Sequence, residues 1–334
     1  MIVRWIAAFI LIGMGGLYFL AEYGRIQLEP VAATAAPQLF EVQPGSTFRS
    51  VANRLQQNGL IRNARLAVWL GRYNEMDGRL HVGQYELSPH QSTNEILEAI
   101  TEGRIKTWRV TLPEGSRSDE IAERLEASGL VESEQFKTAL GNQRLAEDLG
   151  VPSVNFEGYL YPDTYWLPRG LGSEEVIRIL VEQFDRVWEA EIQPQAAQAG
   201  LSRNEVVTLA SIVEKETAAS LERPRIAAVF LNRLEKGMRL ETDPTVIYGI
   251  EDFDGNLRRR HLNDKKNPYN TYQHFGLPPG PIASPGLAAL QSVVNPEETD
   301  YLYFVSKNDG THKFSKTYAE HVEAVNEHQR RKRR

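Results

Sequence analysis

One helix and the turn that follows it constrain the fold of this chain more than any other stretch. Ser202 stands three residues before Glu205, and an apolar run follows. This spacing is a capping box, in which the two side chains satisfy free N–H groups at a helix N-terminus. The pattern predicts a helix that ends near Glu216 and a second helix over about residues 222–236, closed by Gly237. Each helix has an apolar face, so this pair needs a core to pack against.

Glu216 is the acidic residue of the predicted helix that lies on its apolar face. With Leu209 taken as the origin and a step of roughly 100° per residue, the apolar side chains form a stripe from about −60° to about +100°. Glu216 falls inside this stripe at about −20°, whereas Glu214 at about 140° and Lys215 at about −120° fall outside it. Burial raises the pKa of a carboxyl, which suits a general acid. In the alternative interpretation, Glu216 meets solvent at a helix end or pairs with an arginine of the next helix.

Four blocks of sequence occur in a fixed order: EGYLYPDTYW (157–166), LASIVEKET (209–217), RLETDPTVIYGI (239–250) and YNTYQHFGLPPGPIASPG (269–286). Together they resemble the YceG-like family, the MltG-type endolytic murein transglycosylases. The resemblance implies that Glu216, the second Glu of the EKE triplet, is the catalytic acid/base. It also implies an α+β fold with an N-terminal transmembrane helix, a small LysM-like αβ module and a mostly helical catalytic domain with a cleft.

The resemblance also implies the reaction and its place. The enzyme would cleave the β-1,4 bond between N-acetylmuramic acid and N-acetylglucosamine within nascent peptidoglycan strands. It would leave 1,6-anhydro ends and so terminate glycan elongation. Its location would be the bacterial inner membrane, with the catalytic domain on the periplasmic side. The expected partners are peptidoglycan glycan strands, the membrane and peptidoglycan synthases.

The candidate substrate contacts lie in three polar, aromatic or proline-rich loops. An aromatic loop with polar groups can stack sugar rings and bind their hydroxyls, and the stiff stretch 277–283 can form a wall. In the alternative interpretation, residues 157–166 form an aromatic corner of the core, and Asp243 is the N-cap of a helix over residues 244–248. The candidates are Glu157, Tyr161, Asp163, Thr242, Asp243, Asn270, Thr271 and Tyr272.

The N-terminus carries an uncharged apolar run over residues 5–21, at the short end of what spans a bilayer. Arg4 precedes it, which favours an anchor with the N-terminus in the cytoplasm. A cleaved signal peptide is the alternative, since small residues at 33–35 resemble a cleavage site. Three charged residues separate that site from the apolar run, so we expect an uncleaved single-pass anchor.

An internal repeat follows the anchor. Residues 44–61 align with residues 113–131, and each copy reads as a strand, a Pro/Gly turn, an amphipathic helix and a glycine stop. The LysM-like module contacts glycan, acts as a spacer without a ligand, or is a repeat that only builds core; Trp69, Tyr73 and Tyr85 are its candidate aromatic contacts. The predicted parts are a cytoplasmic tip and anchor (1–26), a linker (27–38), the LysM-like module (39–106), a second αβ repeat or connector (107–145), the catalytic domain (146–329) and a basic tail (330–334).

The C-terminal part predicts three further elements. Ser284 and Pro285 mark the start of a capped helix that runs to Val294. A hairpin over residues 301–306 and 312–314 turns at Asp309 and Gly310, and a last helix covers about residues 317–329. The basic tail contacts anionic lipid or polymer, or nothing at all.

Composition excludes several classes of protein. There is no cysteine, which rules out disulfides and a cysteine nucleophile, and the net charge of −6 argues against nucleic acid as a partner. HExxH, G-x-S-x-G and Walker motifs are absent, so we expect no metal or cofactor. Two rival functions stay open. One is a lysozyme-like hydrolase that uses a second carboxylate such as Asp243 or Glu157, and the other is an inactive peptidoglycan-binding membrane protein.

Overall fold

The computed structural model describes residues 2–153, 155–217 and 219–330 of the 334-residue chain. For residues 2–4, 6–10 and 330 it describes the backbone alone. The predicted basic tail therefore lies outside the described residues, apart from the backbone of residue 330. The chain forms two compact units, one of Met1–Trp108 with Trp166–Gly170 and one of Arg109–Tyr165 with Leu171–Arg334.

The chain starts with a long helix, α1 (Ile2–Leu28), which includes the predicted anchor over residues 5–21. Leu11, Leu17, Phe19 and other large apolar side chains are exposed along it. The side chains of residues 6–10, in the N-terminal part of the predicted anchor, lie outside the described part of the chain. Among the side chains that the structure does describe, no helix combines the length and the apolar character needed to cross a membrane.

The rest of the first unit is a two-stranded antiparallel sheet covered by helices. Its elements are β1 (Gln38–Val42), α2 (Phe48–Gln57), α3 (Ala64–Tyr73), β2 (Gly83–Leu87) and α4 (Thr93–Thr101). Gln38 lies opposite Leu87 in the sheet. Phe40, Leu55, Tyr85 and other apolar side chains form one buried core. The helix α3 is a correction, because the sequence prediction had no helix there.

The second copy of the repeat opens the second unit. The elements in this part of the chain are β3 (Trp108–Thr111), α5 (Ser118–Ala127), α6 (Ser133–Leu140), α7 (Gln143–Asp148) and β4 (Thr164–Leu167), with β3 paired to β4. The first helix of each copy ends in the same way, at Gly59 with φ 68° and at Gly129 with φ 66°. Glycine adopts this left-handed conformation without a steric cost, which accounts for the repeated glycine stop. Both copies thus fold as the predicted strand, turn and helix.

The core of the second unit is helical. Its helices are α8 (Ser173–Val187), α9 (Gln193–Ala199), α10 (Arg203–Glu216), α11 (Arg223–Glu235), α12 (Asp243–Tyr248), α13 (Arg259–Leu262) and α14 (Leu287–Val294). A π-helical turn over Trp188–Ile192 joins α8 to α9. Every residue of α10 from Val206 to Val213 is buried, and α10 packs against α11 and α14. The predicted capping box is present, with the Ser202 N–H donating to Glu205 Oε2 at 2.8 Å.

The last elements form the predicted hairpin and helix. They are β5 (Tyr303–Ser306), β6 (His312–Ser315) and α15 (Tyr318–Val325), and α15 packs against both strands. The start predicted for α14 is wrong, because the helix begins at Leu287. Ser284 is buried before it, and its N–H donates to the carbonyl of Ser116 at 2.9 Å. The mixed α+β class is confirmed.

Candidate active site

Glu216 is the last residue of α10, and its side chain lines a cleft of about 480 Å³. The hairpin and α15 form much of the cleft wall, through Tyr303, His312 and Tyr318 among others. The expectation that the end of this helix lies at the mouth of a groove is therefore confirmed. Glu216 also lines a second depression of about 440 Å³ together with Glu114, so open space adjoins this carboxyl in both the cleft and the depression.

The surroundings of Glu216 favour a protonated carboxyl. Burial raises its pKa, and the neighbouring Asp243 raises it further. Thr242 works in the other direction, because its hydroxyl donates to Glu216 Oε1 and so stabilises the charged form. His312 and Arg233 also lower the pKa, by Coulombic attraction. A carboxyl with this balance can hold a proton and can also be stabilised once it has given the proton away.

Buried threonines hold Thr242 in place. The Thr242 N–H donates to Thr271 Oγ1 at 3.1 Å, and the Thr245 hydroxyl donates to the Thr242 carbonyl at 2.9 Å. The hydroxyls of Thr245 and Thr271 lie 2.9 Å apart. Thr242 thus contacts Glu216 directly, whereas Thr271 acts on it through Thr242.

Asp243 and Tyr272 lie together in the cleft. The Tyr272 hydroxyl donates to Asp243 Oδ1 at 2.8 Å, and both side chains line the cleft with Glu216. The alternative interpretation of Asp243 as an N-cap is wrong. The cap position of α12 belongs to Thr242, which makes no side-chain cap hydrogen bond, and Asp243 is the first helical residue. Its carboxylate is therefore directed to the cleft and to Tyr272.

Asn270 holds the loop after α13 and does not line the cleft of Glu216. Its side chain is buried, and its amide donates to the carbonyls of His261, Leu262 and Asp264 at 3.0, 3.2 and 2.7 Å. The proline-rich stretch after it likewise lies elsewhere, since Leu277 and Pro278 line a different cavity.

The residues of the aromatic segment 157–166 do not line the cleft either. The carboxylate of Glu157 is buried and accepts the N–H and hydroxyl of Ser118 at 3.2 and 2.9 Å, which caps the N-terminus of α5. Burial raises the pKa of Glu157 to about 7. Tyr161 is buried against Phe184, and Asp163 is exposed, where it accepts from the Gln183 amide at 3.1 Å. This geometry is that of an aromatic corner of the core.

An ion pair with the next helix exists, but it belongs to Glu214. Arg223 Nη2 donates to Glu214 Oε1 at 2.6 Å, and the two side chains are 10% and 5% exposed. The other carboxylate oxygen accepts the Gly286 N–H at 3.0 Å. The helical wheel places Glu214 off the apolar stripe, yet its side chain is buried. It joins the end of α10 to the starts of α11 and α14.

A sequence model of the YceG-like family matches residues 40–327. The chain belongs to the YceG-like family. A relative from Bacillus subtilis (strain 168), named endolytic murein transglycosylase, is 29% identical over 328 residues, which cover 93% of this chain and 89% of the relative. A relative of the same name from Streptococcus pneumoniae (strain D39) is 27% identical over 362 residues, covering 98% of this chain and 65% of the relative. The 2.6 Å crystal structure of a yceG-like protein from Listeria monocytogenes has 31% identity and a TM-score of 0.60, covering 87% of this chain and 99% of that one.

Sequence reasoning missed several residues that line the cleft of this YceG-like chain. Arg233 on α11 is buried, and its guanidinium donates to the carbonyls of Leu302 and Leu240 at 2.7 and 2.8 Å. A signal for it exists, because Arg233 follows the buried Ile226 and Phe230 at helical spacing. A charged residue on an apolar face is the same signal that singled out Glu216.

His312 has no comparable local signal. It lies on β6, and its Nδ1 is 2.7 Å from Glu222 Oε2. The two residues are far apart in sequence, so their pairing depends on the tertiary fold. Within the described ranges, no group of His, Asp and Glu side chains is placed to hold a metal ion.

Proposed function

We propose that this chain is a membrane-anchored endolytic murein transglycosylase. It cleaves the bond between N-acetylmuramic acid and N-acetylglucosamine within nascent strands, leaves 1,6-anhydro ends and so terminates glycan elongation. The observation that carries the proposal is the carboxyl of Glu216, which has a raised pKa and lines an open cleft. The names of the relatives from Bacillus and Streptococcus support the same activity.

The mechanism needs one carboxyl in two protonation states. Protonated Glu216 donates its proton to the glycosidic oxygen, and the bond from that oxygen to C1 of the muramic ring breaks. The resulting carboxylate accepts the proton of the C6 hydroxyl of the same ring, whose oxygen bonds to C1. The proton returns to Glu216 and no water is consumed. Attack within one ring has the entropic advantage of an intramolecular reaction.

Thr242 fits the second half of this cycle. Its hydroxyl donates to Glu216, and a hydrogen bond of this kind stabilises the carboxylate that acts as the base. Burial supports the first half, because it keeps the acid protonated at a higher pH than an exposed carboxyl.

A lysozyme-like hydrolase is the second candidate, and Asp243 is the observation that favours it. This carboxylate lines the same cleft and is held by Tyr272. In a hydrolase it would activate a water molecule or form a covalent intermediate. Glu157, the other carboxylate considered for this role, is occupied in capping α5.

Mass spectrometry of digested sacculi distinguishes these reactions. The wild-type chain should produce 1,6-anhydro ends, and Glu216→Gln should lose this activity by about 10²- to 10⁴-fold while keeping its fold. Glu235→Gln, an exposed acid on α11, is the matched control and should behave as wild type. Reducing ends would support the hydrolase, and no product from the wild type would support an inactive binding protein.

The anchor and the LysM-like module complete the proposal. Exposed apolar side chains along α1 support its insertion into the inner membrane, with the remaining chain on the periplasmic side. In the module, the rings of Trp69 and Tyr73 on α3 stack with their centroids 5.5 Å apart. The two side chains are 59% and 74% exposed, which supports contact with glycan. Tyr85, the third aromatic residue considered, is buried. Replacing Trp69 and Tyr73 with alanine should weaken retention on insoluble peptidoglycan, and unchanged retention would reduce the module to a spacer.

A further inference from the structure

Three ring side chains from β5 and α15 line the cleft of Glu216. Tyr303 and His321 stack with their centroids 5.2 Å apart and their planes at 24°. Tyr318 lies beside both, with centroids 6.0 Å from Tyr303 and 6.4 Å from His321. All three side chains line the cleft. We call these residues the ring cluster.

The ring cluster connects to the surroundings of Glu216 through Arg233. The guanidinium of Arg233 lies 5.2 Å from the centroid of the Tyr303 ring, and Arg233 acts electrostatically on Glu216. Arg233 is buried and donates to backbone carbonyls, so its position is fixed. A ligand bound on the ring cluster would therefore lie at a fixed place relative to the reacting carboxyl.

Tyr318 is the member that offers free surface. Its side chain is 67% exposed, although it starts a helix that packs on the hairpin. The ring of Tyr303, by contrast, already contacts the guanidinium of Arg233 and the ring of His321. A large exposed aromatic side chain in a cleft contributes little to folding and offers an apolar face with a polar edge to a ligand.

The charges of the cleft select the kind of ligand. Glu241 and Asp243 line it, and the guanidinium of Arg233 is already engaged with backbone carbonyls and lies 3.6 Å from Glu241. A surplus of carboxyl groups disfavours an anionic group at this place. The C–H face of a neutral pyranose suits an aromatic ring in such a setting.

We propose that the ring cluster, with Tyr318 as its exposed platform, is a binding subsite for a neutral N-acetylglucosamine ring of the glycan strand. The proposal rests on the proposed function and adds to it a place where a sugar away from the cleaved bond is held. Ser306 and Gln329, which also line the cleft, supply polar groups for the hydroxyl and N-acetyl substituents. Ring stacking of this kind affects binding and leaves the proton transfers to Glu216.

The test compares binding and turnover in full-length chains. Tyr318→Leu removes the ring and Tyr318→Phe keeps it. Phe275→Leu is the matched control, because Phe275 is 65% exposed and lies against Arg239 instead of lining this cleft. The measurements are KM and kcat with uncross-linked glycan strands, and the Kd of a hexamer of N-acetylglucosamine for the same variants carrying Glu216→Gln.

We expect Tyr318→Leu to raise KM and Kd by about tenfold, which corresponds to about 1.4 kcal/mol, and to leave kcat within about twofold. Phe275→Leu should keep the wild-type values, and Tyr318→Phe, which keeps the ring, should show a smaller rise in KM and Kd than Tyr318→Leu. Unchanged KM and Kd in Tyr318→Leu, with an active wild type, would overturn the subsite alone. Loss of hexamer binding in Tyr318→Leu with a wild type that cleaves nothing would support the subsite and refute the enzyme. A wild type that neither cleaves nor binds would refute both.

Discussion

At the scale of single residues, the hydroxyl of Thr242 opposes the effect of burial on the pKa of Glu216. The hydroxyl donates to the carboxylate and lowers a pKa that burial raises. Thr242→Val removes this hydrogen bond, so the pKa of Glu216 should rise further. A general acid loses activity as the pH rises through its pKa, and the alkaline limb of the kcat/KM profile should therefore move to higher pH.

Thr242→Ser is the control for this prediction. Serine keeps the hydroxyl, so its alkaline limb should stay near that of the wild type. A limb that stays in place in Thr242→Val, or moves to lower pH, would contradict the assignment of Glu216 as the acid.

Glu214 has a structural effect that the helical wheel did not anticipate. From the wheel, Glu214→Gln should keep most activity, but this change breaks a buried pair with Arg223. Removing one member of such a pair typically costs about 3–5 kcal/mol. Urea unfolding should show a loss of this order, whereas Glu235→Gln should change little. The activity that remains should keep the wild-type pH profile, and a shifted profile would mean that Glu214 takes part in proton transfer.

Glu216 and Glu214 show how far the sequence predicts the burial of a single side chain. The position of Glu216 follows from helical periodicity, which is local. The burial of Glu214 depends on Arg223 in the next helix and on Gly286, about seventy positions further along the chain. Contacts between distant segments leave no periodic pattern in one sequence, so the burial of Glu216 was predictable and the burial of Glu214 was not.

At the scale of elements, the protonation of Glu157 makes the stability of the fold around the start of α5 depend on pH. Burial raises its pKa to about 7, from an ordinary value of 4.5. The folded state thus binds a proton more tightly than the unfolded state. The resulting contribution to the free energy of unfolding is fully present below pH 4.5 and is lost as the pH rises through about 7. This contribution is about 3 kcal/mol.

Thermal melts between pH 4.5 and 8 test this coupling. Glu157→Gln cannot titrate, and its melting temperature should fall less with rising pH than that of the wild type. Some slope should stay, because burial also raises the pKa of Glu216 and Glu114. Glu123→Gln, an exposed acid on the same helix, should keep the full slope. Equal slopes for Glu157→Gln and the wild type would contradict the prediction.

Capping patterns predicted the helices of the site, whereas α3 was missed although the Asn63 side chain caps its N-terminus. The capping box at Ser202 and the glycine after α11 placed both helices of the site. Helix α3 was missed, since Gly71 weakens its local pattern. A Cβ at this position would collide with the ring of Phe48, a contact that the local sequence does not show. The pattern at Ser284 likewise predicted a cap, but its backbone is bonded to Ser116 instead.

The position of the cleft wall likewise depends on contacts that the local sequence does not show. The hairpin was predicted from its turn, Asp309 and Gly310, and it folds with Tyr303 opposite Ser315. Its place beside the end of α10 was not predicted, because a local turn pattern does not show how distant elements pack. The sequence pattern instead predicts the proline-rich stretch 277–283 as the wall of the cleft.

At the scale of the whole molecule, the proposed function assigns to α1 the role of a membrane anchor. No cleavage pattern lies directly behind its apolar run, so the mature chain should keep its first residues and sediment with membranes. N-terminal sequencing of the protein from cells, together with fractionation, measures both. A chain without residues 2–28 should appear in the soluble fraction. A mature N-terminus near Ala36 would contradict the anchor.

The central claim is that one carboxyl cleaves the glycan without water. Digestion of uncross-linked glycan strands in H₂¹⁸O, followed by mass spectrometry of the new muramic ends, tests it most directly. We expect anhydro ends without ¹⁸O from the wild type and about 10²- to 10⁴-fold slower formation of new ends by Glu216→Gln. New reducing ends that carry one ¹⁸O would contradict it, because they require a water molecule activated by a second group such as Asp243.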